Sequence, residues 1–155
     1  MIKFIKPTLE LLSYRQELLG DKETMAYNDK WGGTIDFPKE QWEGWFTNWI
    51  LHDSKDKFYR YLFETDKHCF VGEAAYHFSK NDSAYIVNII VHSKFRGNGY
   101  GNEALKLLCD CAKENGIEEL CDTIALDNPS INLFLNNGFN EILRNDEYIM
   151  VKKRL

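Results

Sequence analysis

Several features that define other classes of protein are missing from this chain of 155 residues. It contains no run approaching the roughly 18 apolar residues that a membrane-spanning helix needs. The segment at residues 1–6 alternates in hydropathy and is too short to form the apolar core of a secretory signal. The four cysteines form no Cys-x-x-Cys pair, and the expected interpretation is small buried side chains in a reducing compartment. These absences predict a cytoplasmic protein with no membrane partner and no metal.

An excess of positive charge is also absent. Lysine and arginine together number 19 against 24 for aspartate and glutamate, so the formal net charge is −5. General nucleic-acid binding favours a basic surface, and this composition argues against such a partner. With 44% hydrophobic and 28% charged residues, the composition is that of an ordinary globular protein long enough to bury a core. We therefore expect one domain over residues 1–155.

The most informative glycines lie in one short segment. A β-branched run at residues 85–91 leads to the sequence Arg-Gly-Asn-Gly-Tyr-Gly at residues 96–101, and a helical pattern follows at residues 102–115. A strand, a glycine-rich turn and a helix N-terminus in this order expose backbone N–H groups that can bind phosphate. The segment has neither the Lys-Ser/Thr of a Walker loop nor the third glycine of Gly-x-Gly-x-x-Gly. It predicts a phosphate-binding loop of another kind, with Arg96 as a cation.

The remaining spacing, Arg-x-x-Gly-x-Gly at Arg96, Gly99 and Gly101, resembles the acetyl-CoA pyrophosphate motif of the GNAT superfamily of N-acetyltransferases. Residues 128–139 are similar to a second element of that family, Asn-x-x-Ala-x-x-Leu-Tyr-x-x-x-Gly-Phe. The predicted elements follow the family order across nearly the whole chain. The resemblance implies an α/β (α+β) fold with a mixed, mostly antiparallel sheet of about six to seven strands and about four flanking helices. That sheet would be splayed between its two central parallel strands.

The resemblance also implies acetyl-CoA as the donor substrate. The pantetheine arm would lie in the gap between the two parallel strands, and the pyrophosphate would lie against the glycine-rich loop. The residues implied in this binding are Ile89, Val91, Arg96, Gly97, Asn98, Gly99, Tyr100, Gly101, Asn128 and Phe134.

The implied reaction is direct transfer of the acetyl group to a primary amine. The amine must first lose a proton, because a free alkylamine has a pKa near 10. Several relatives carry a glutamate near the start of the strand before the loop, where this chain has Tyr85, and Tyr85 is therefore a candidate catalytic residue. Glu73 on the preceding strand is our first candidate for the base, with His77 and Asp122 next; alternation puts Glu73 and His77 on one strand face. A strand-face carboxylate paired with a cation is the alternative interpretation of Glu73.

The leaving thiolate raises a second question. The tyrosine that often protonates it in the family corresponds to Phe134, which has no proton to donate. Ser130, Asn132, Tyr148 or water could substitute, or the thiolate could leave unassisted because its pKa is near 8.5. A backbone amide near Val91 is the predicted donor to the oxyanion.

Specificity for the amine is predicted to reside in residues 25–49. The loop at residues 31–36 is aromatic and contains two glycines, which suits an adjustable pocket wall. Asp36 could pair with an ammonium group, and Trp31 or Trp42 could offer a cation–π face. A helix is predicted to open at Pro38 and to hold Trp42, Trp45, Phe46 and Trp49 at helical spacing, which assigns Trp45 and Trp49 to the core.

The acceptor itself stays open at this point. A small-molecule amine is the leading prediction, and a polyamine, an aminoglycoside-like amine or an amino-acid-derived amine would each fit. One alternative is acetylation of a protein amine, which would require an open groove. Another is a non-catalytic module that binds acyl-CoA in order to sense it or to recruit a partner. The last hairpin, residues 139–153, offers an edge that family members often use for dimers, so a homodimer is a further option.

Overall fold

The computed structural model describes residues 1–52 and 55–155, and within them seven strands form one sheet. The strands lie side by side in the order β1-β2-β3-β4-β5-β7-β6, and β4–β5 is the one parallel pair among these described strands. This is the mixed, mostly antiparallel sheet that the family resemblance implied. The strands are β1 (Ile2–Ile5), β2 (Lys57–Glu64), β3 (Cys69–Ser79), β4 (Ala84–Val91), β5 (Glu119–Ala125), β6 (Asn140–Arg144) and β7 (Tyr148–Arg154).

The α-helices of the described residues are α1 (Leu12–Gly20), α2 (Trp42–Phe46), α3 (Tyr100–Glu114) and α4 (Ser130–Asn136). The helix predicted to open at Pro38 is irregular, because 3₁₀ turns precede α2 and a π-helical turn, Thr47–Leu51, follows it. Within residues 1–52 and 55–155, no helix combines the length and apolar character needed to cross a membrane.

The two faces of the sheet are packed differently. On one face, α3 and α4 bury a large apolar core that includes Leu105, Leu108, Phe134 and Ile149. The buried positions of α3 follow the helical spacing of its apolar residues, as the sequence pattern predicts. The opposite face is covered by α1, α2 and the π-helical turn, and its core is strongly aromatic. A buried carboxylate, Glu73, lies on this second face.

Glycine is required at one position where β3 approaches β4. A Cβ atom on Gly72 would collide with the carbonyl oxygen of Ile90. Any larger residue would therefore push the two strands apart, and the register that places Glu73 opposite Ile90 would be disturbed.

The sheet opens between β4 and β5. Their pairing within the described residues is a single position, Ile86 with Cys121. The His92 N–H donates to the Val71 carbonyl at 2.8 Å, and the alternation of antiparallel pairing then turns the backbone groups of Ile89 and Val91 away from β3. Those groups point toward β5, so the predicted splay between the central parallel strands is present.

Candidate active site

A cavity of about 760 Å³ follows this opening in the sheet. That volume lies in the range of small-molecule binding sites, about 300–1,000 Å³. We call the part built by the glycine-rich loop and the gap the donor half, and the part built on the α1/α2 face the acceptor half. Nine of the ten residues implied in acetyl-CoA binding line the cavity: Ile89, Val91, Arg96, Gly97, Gly99, Tyr100, Gly101, Asn128 and Phe134.

The glycine-rich loop presents free backbone donors to the cavity. Gly97 and Gly99 adopt left-handed backbone angles, with φ of 81° and 80°, which side-chain-bearing residues rarely adopt. At Gly101 the space is tight for a different reason, because a Cβ there would lie 3.3 Å from the Leu133 side chain. Among the described residues, none accepts a hydrogen bond from the backbone N–H groups of residues 97–102. Free N–H groups at a helix N-terminus are the arrangement that can bind an anion.

The Arg96 side chain is held by the neighbouring segment. Its Nη2 donates to the Thr24 carbonyl at 2.6 Å, and its Nη1 donates to the Glu23 carbonyl at 3.5 Å. The guanidinium also lies 5.2 Å from the ring centroid of Tyr27. Arg96 therefore ties the glycine-rich loop to the segment that follows α1, while it also contributes a cation to the cavity wall.

A polar network strengthens the same connection. The Thr24 N–H and hydroxyl donate to Asp21 Oδ2 at 2.9 and 2.5 Å, and the Ser93 N–H donates to Thr24 Oγ1 at 2.9 Å. His92 Nε2 lies 3.8 Å from Asp21 Oδ2. The hydrogen bonds from Thr24 lower the pKa of Asp21, which keeps this carboxylate ionised. The network positions two segments that both line the cavity.

Asn98, the tenth residue implied in donor binding, is not part of the cavity wall. Its amide Nδ2 donates to the Phe95 carbonyl at 2.8 Å and to the Arg96 carbonyl at 3.3 Å. The side chain thus stabilises the turn through hydrogen bonds to its backbone. Direct contact with the donor substrate would have to come from the Asn98 backbone.

Phe134 occupies the cavity wall where the family often has a tyrosine. It is 3% exposed and packs edge-to-face on Phe139, with ring centroids 5.0 Å apart. Ser130, one of the predicted substitutes for the missing hydroxyl, lines the cavity, whereas Asn132 and Tyr148 are not on its wall. Asn128 Oδ1 accepts a hydrogen bond from the Ser130 N–H at 2.9 Å and so anchors the start of α4.

Glu73 is the centre of the acceptor half. It is 1% exposed; its Oε2 accepts a hydrogen bond from the Tyr59 hydroxyl, and its Oε1 accepts one from Asn88 Nδ2 at 3.2 Å. Arg15 Nε lies 3.5 Å from Oε2. Burial raises the pKa of Glu73 above its usual value, while the charge of Arg15 and these hydrogen bonds oppose the rise. A buried carboxylate with a raised pKa on a cavity wall is suited to accept a proton.

Arg15 is itself held by aromatic rings. Its guanidinium carbon lies 4.4 Å from the ring centroid of Trp45 and 4.5 Å from that of Phe37. The side chain is 15% exposed, and its Nε is buried without a hydrogen-bond partner among the described residues. The cavity wall therefore includes a cation that retains hydrogen-bonding capacity.

The predicted acceptor residues are placed differently from one another. Trp31 lines the cavity and is 51% exposed, but Asp36 and Trp42 lie outside its wall. Trp42 stacks on Phe37 and donates from Nε1 to the Phe37 carbonyl at 3.1 Å. Trp45 and Trp49 pack against the aromatic core, as their helical spacing predicts, and both also line the cavity. Their rings stack on each other and meet Tyr59 edge-on, which turns them toward the sheet at the site.

The other candidate catalytic residues are also separated by the fold. Tyr85 lies outside the cavity wall; its hydroxyl bonds to Asp56 at 3.0 Å and its ring packs near Tyr76 on the α3 face. His77 lines the cavity, and burial lowers its pKa. Asp122 also lines the cavity, and burial raises its pKa to about 8, so it is mostly protonated at neutral pH.

The sequence reasoning missed Arg15, Tyr59 and Asn88. They come from α1, β2 and β4; the register of β2, β3 and β4 brings Tyr59 and Asn88 to Glu73, and the packing of α1 on the sheet brings Arg15. The period-two pattern assigns Tyr59 and Asn88 to a strand face but does not say which residues become neighbours. Among the described residues, no group of three or more His, Cys, Asp or Glu side chains could hold a metal ion.

A sequence profile of the acetyltransferase (GNAT) family matches residues 18–139. The match covers most of the chain and includes the glycine-rich loop and α4. The chain therefore belongs to the acetyltransferase (GNAT) family, and the resemblance identified from its motifs is confirmed. A search of curated protein sequences found no significant match.

Solved structures with the same fold include enzymes named for different acceptors. Spermidine N-acetyltransferase from Vibrio cholerae, in complex with CoA and spermine, is 13% identical with a TM-score of 0.80, over 99% of this chain and 95% of that one. A phosphinothricin acetyltransferase from Sinorhizobium meliloti, in complex with acetyl-CoA, is 14% identical with a TM-score of 0.78, over 99% and 88%. Ribosomal-protein-alanine N-acetyltransferase from Brucella melitensis is 21% identical with a TM-score of 0.76, over 99% of both chains. At these identities the likeness shows the fold, not the acceptor.

Proposed function

We propose that this protein transfers an acetyl group from acetyl-CoA to the primary amine of a small molecule bound in the same cavity. One observation carries the proposal: a single continuous cavity within the described residues joins the glycine-rich loop to the buried carboxylate of Glu73. Between them lies the gap where the backbone groups of Ile89 and Val91 face β5. An anion-binding loop, a strand-like gap and a base candidate are the parts that this reaction requires.

The donor half fits a pyrophosphate with an extended arm. The N–H groups of residues 97–102 would bind the pyrophosphate oxygens, and Arg96 would add positive charge beside them. The outward-facing groups of Ile89 and Val91 would hydrogen-bond the amide groups of the pantetheine arm, as an edge strand binds a peptide. When bound, acetyl-CoA supplies an activated acetyl thioester. The Val91 N–H would stabilise negative charge that develops on the thioester oxygen.

In the acceptor half, Glu73 would take the proton from the ammonium form of the acceptor. Tyr59 and Asn88 hold the carboxylate in place through hydrogen bonds. The base must be ionised to act, so activity is lost as the pH falls through the folded-state pKa of Glu73. Because burial raises that pKa, the loss begins at a higher pH than for an ordinary glutamate.

Few side chains of the cavity wall can donate a proton to the leaving thiolate. Phe134 donates no proton, and Ser130 is the cavity-lining hydroxyl among the predicted substitutes. We expect the thiolate to leave without a dedicated acid, since its pKa near 8.5 makes it a good leaving group at neutral pH.

The aromatic side chains of the acceptor half support a small-molecule acceptor over a protein amine. Trp31, Trp45, Trp49 and Tyr59 line this half. Such a wall surrounds a compact ligand, whereas an extended polypeptide needs an open groove.

The test is an acetylation assay with a panel of primary amines. The protein is incubated with acetyl-CoA and each amine, free CoA is quantified by chromatography, and the acetylated product is identified by mass. Chromatography is preferable to a thiol reagent because the chain has four free cysteines. Amine-dependent CoA release is the expected result. Tight binding of acetyl-CoA with no transfer to any amine would contradict the proposal and favour an acyl-CoA-sensing module.

We also propose, from the exposed sheet edge, that the protein forms a homodimer. All five residues of the edge strand β6 are exposed, and Ile142 and Leu143 are among the large apolar side chains open to solvent. Sedimentation analysis of the protein and of an Ile142→Lys variant tests this; a wild-type monomer would contradict it.

A further inference from the structure

We infer that the acceptor is an α-amino acid with an aromatic or bulky apolar side chain, its carboxylate bound by Arg15 and its amine placed at Glu73. The inference rests on the proposed function and specifies the substrate class of the same cavity. It is carried by the pairing of charges, the unused donors of Arg15, the spacing of the two groups and the aromatic wall around them.

The charges of the acceptor half are balanced. Arg15 and Glu73 lie 3.5 Å apart and supply one positive and one negative group. A polyamine would need further carboxylates, but Asp36 lies outside the cavity wall. Asp122 is mostly neutral at pH 7, because burial raises its pKa to about 8. A ligand with one ammonium and one carboxylate complements this wall, and a ligand with several ammonium groups does not.

Glu73 has hydrogen-bond partners on both oxygens, whereas Arg15 Nε has none among the described residues. Both oxygens of Glu73 accept hydrogen bonds, from Tyr59 and Asn88. Arg15 Nε is buried without a hydrogen-bond partner among the described residues, although Glu73 Oε2 is within ion-pair distance. This buried Nε faces Glu73, so a substrate carboxylate would pair with the terminal Nη atoms of the guanidinium, which make no hydrogen bond within the described residues. A planar guanidinium binds a carboxylate through two parallel hydrogen bonds, which adds geometric specificity.

The spacing matches an α-amino acid. One carbon atom separates the amine from the carboxylate in such a molecule, so the two groups need a cation and an anion side by side. Arg15 and Glu73 provide this arrangement, and the Trp45 and Phe37 rings hold the guanidinium in place. The amine would then lie at the residue that takes its proton.

The remaining wall selects the substrate side chain. Trp31, Trp45, Trp49 and Tyr59 line the cavity, and Trp31 is half exposed. Aromatic and bulky apolar side chains bury area against such rings. Glycine or serine would leave this wall uncovered.

The experiment compares matched substrates that differ only in the carboxylate. Rates of acetylation are measured for L-phenylalanine against phenethylamine, L-tryptophan against tryptamine, and for spermidine, all with saturating acetyl-CoA. We expect kcat/KM for each amino acid to exceed that of its decarboxylated partner by about 10- to 100-fold, the range for a charge-assisted bidentate contact. Spermidine should be the poorest acceptor.

Arg15→Gln tests the residue directly. The ratio of kcat/KM between amino acid and matched amine should fall toward one in this variant, and Arg15→Lys should recover part of it. The control is Arg60→Gln, because Arg60 also lies over an aromatic ring, Phe58 at 4.3 Å, but is not on this cavity wall. Arg60→Gln should keep the wild-type ratio.

The outcomes separate the two levels of the inference. A wild-type ratio of one or less, or a preference for spermidine, overturns the amino-acid assignment while acetyl transfer stands. An unchanged ratio in folded Arg15→Gln overturns the role of Arg15. If Arg15→Gln does not fold, the wild-type comparison of matched substrates decides. Failure of the wild-type protein to bind acetyl-CoA, measured by calorimetry, would overturn the proposed function and this inference together.

Discussion

The two halves of the cavity are built from different parts of the polypeptide. The donor half uses mainly backbone groups: N–H groups at the start of α3 and the outward-facing groups of Ile89 and Val91. The acceptor half uses side chains, and its central contacts join Arg15, Tyr59, Glu73 and Asn88 from four elements. A backbone site depends on local conformation, which a short motif specifies. A side-chain site depends on the register and packing of distant segments.

Removing the Glu73 carboxylate should have the largest effect. We expect Glu73→Gln to lower kcat by about 10²- to 10⁴-fold, the usual contribution of a general base, with little change in acetyl-CoA affinity. The acidic limb of the pH–rate profile should disappear with it, because no carboxylate remains to titrate. Steady-state kinetics across pH and calorimetry with acetyl-CoA measure both quantities.

Glu64→Gln is the matched control, since Glu64 is a second buried glutamate, bound to the chain's amino group at 2.9 Å outside the cavity. It should lower stability and leave kcat near the wild-type value. Wild-type kcat in Glu73→Gln would show that the proton goes elsewhere, to His77 or Asp122.

The donor half should be sensitive to backbone conformation and added charge. We expect Gly99→Asp to weaken acetyl-CoA binding by about 100-fold or more, because it places a negative side chain beside the phosphate site and strains a left-handed residue. Calorimetric titration with CoA measures the change. Adding Arg96→Ala should abolish binding and also release the segment that Arg96 holds at Thr24.

Gly116→Asp separates strain from charge. Gly116 has φ of 81°, close to that of Gly99, and open space around its Cβ position, but it lies beyond α3 and outside the cavity. The two variants should lose similar stability, and CoA affinity should fall in Gly99→Asp alone. An equal loss of affinity in both would mean that the loop does not bind the pyrophosphate.

Two tryptophans only three residues apart should behave differently. Trp45→Leu should raise KM for the acceptor by about 10-fold, because this ring lines the cavity and holds Arg15. Trp42→Leu should change KM by less than about 2-fold, since Trp42 packs on Phe37 outside the cavity wall. Both should lower the melting temperature. A larger KM effect from Trp42→Leu would place the acceptor in a different part of the fold.

The smallest effect on the reaction is expected at Asp122. Its pKa rises from the ordinary 3.8 to about 8 on folding, so its contribution to stability is full below pH 3.8 and is lost as the pH rises to 8. Asn cannot ionise, and Asp122→Asn should therefore stabilise the protein at pH 7 by roughly 1–3 kcal/mol and hardly at pH 4. Denaturant unfolding at both pH values measures this.

The rate should change by less than about 3-fold if Glu73 is the base. A loss of kcat in Asp122→Asn as large as that in Glu73→Gln would contradict this assignment. It would indicate that Asp122, beside the gap between β4 and β5, takes part in the proton transfer.

The prediction from sequence succeeded where patterns were local. The strand Ala84–Val91, the glycine-rich turn and the helix after it follow from β-branched residues, positive-φ glycines and helical apolar spacing. It located the helical segment after Pro38 but not its irregular form, because a period of 3.6 residues does not predict a π-helical turn. That turn and the aromatic packing around it decide which tryptophans face the cavity.

The family was determined by the sequence alone, through the spacing of Arg96, Gly99 and Gly101 and the segment after Asn128, and the same residues carry the proposed site of the donor substrate. Such spacing acts through the conformation of adjacent residues, so it can be recognised without knowing the fold. The acceptor half was decided only by the tertiary structure. Arg15 and Glu73 are 58 positions apart in the chain, and their contact at 3.5 Å depends on strand register and on the packing of α1.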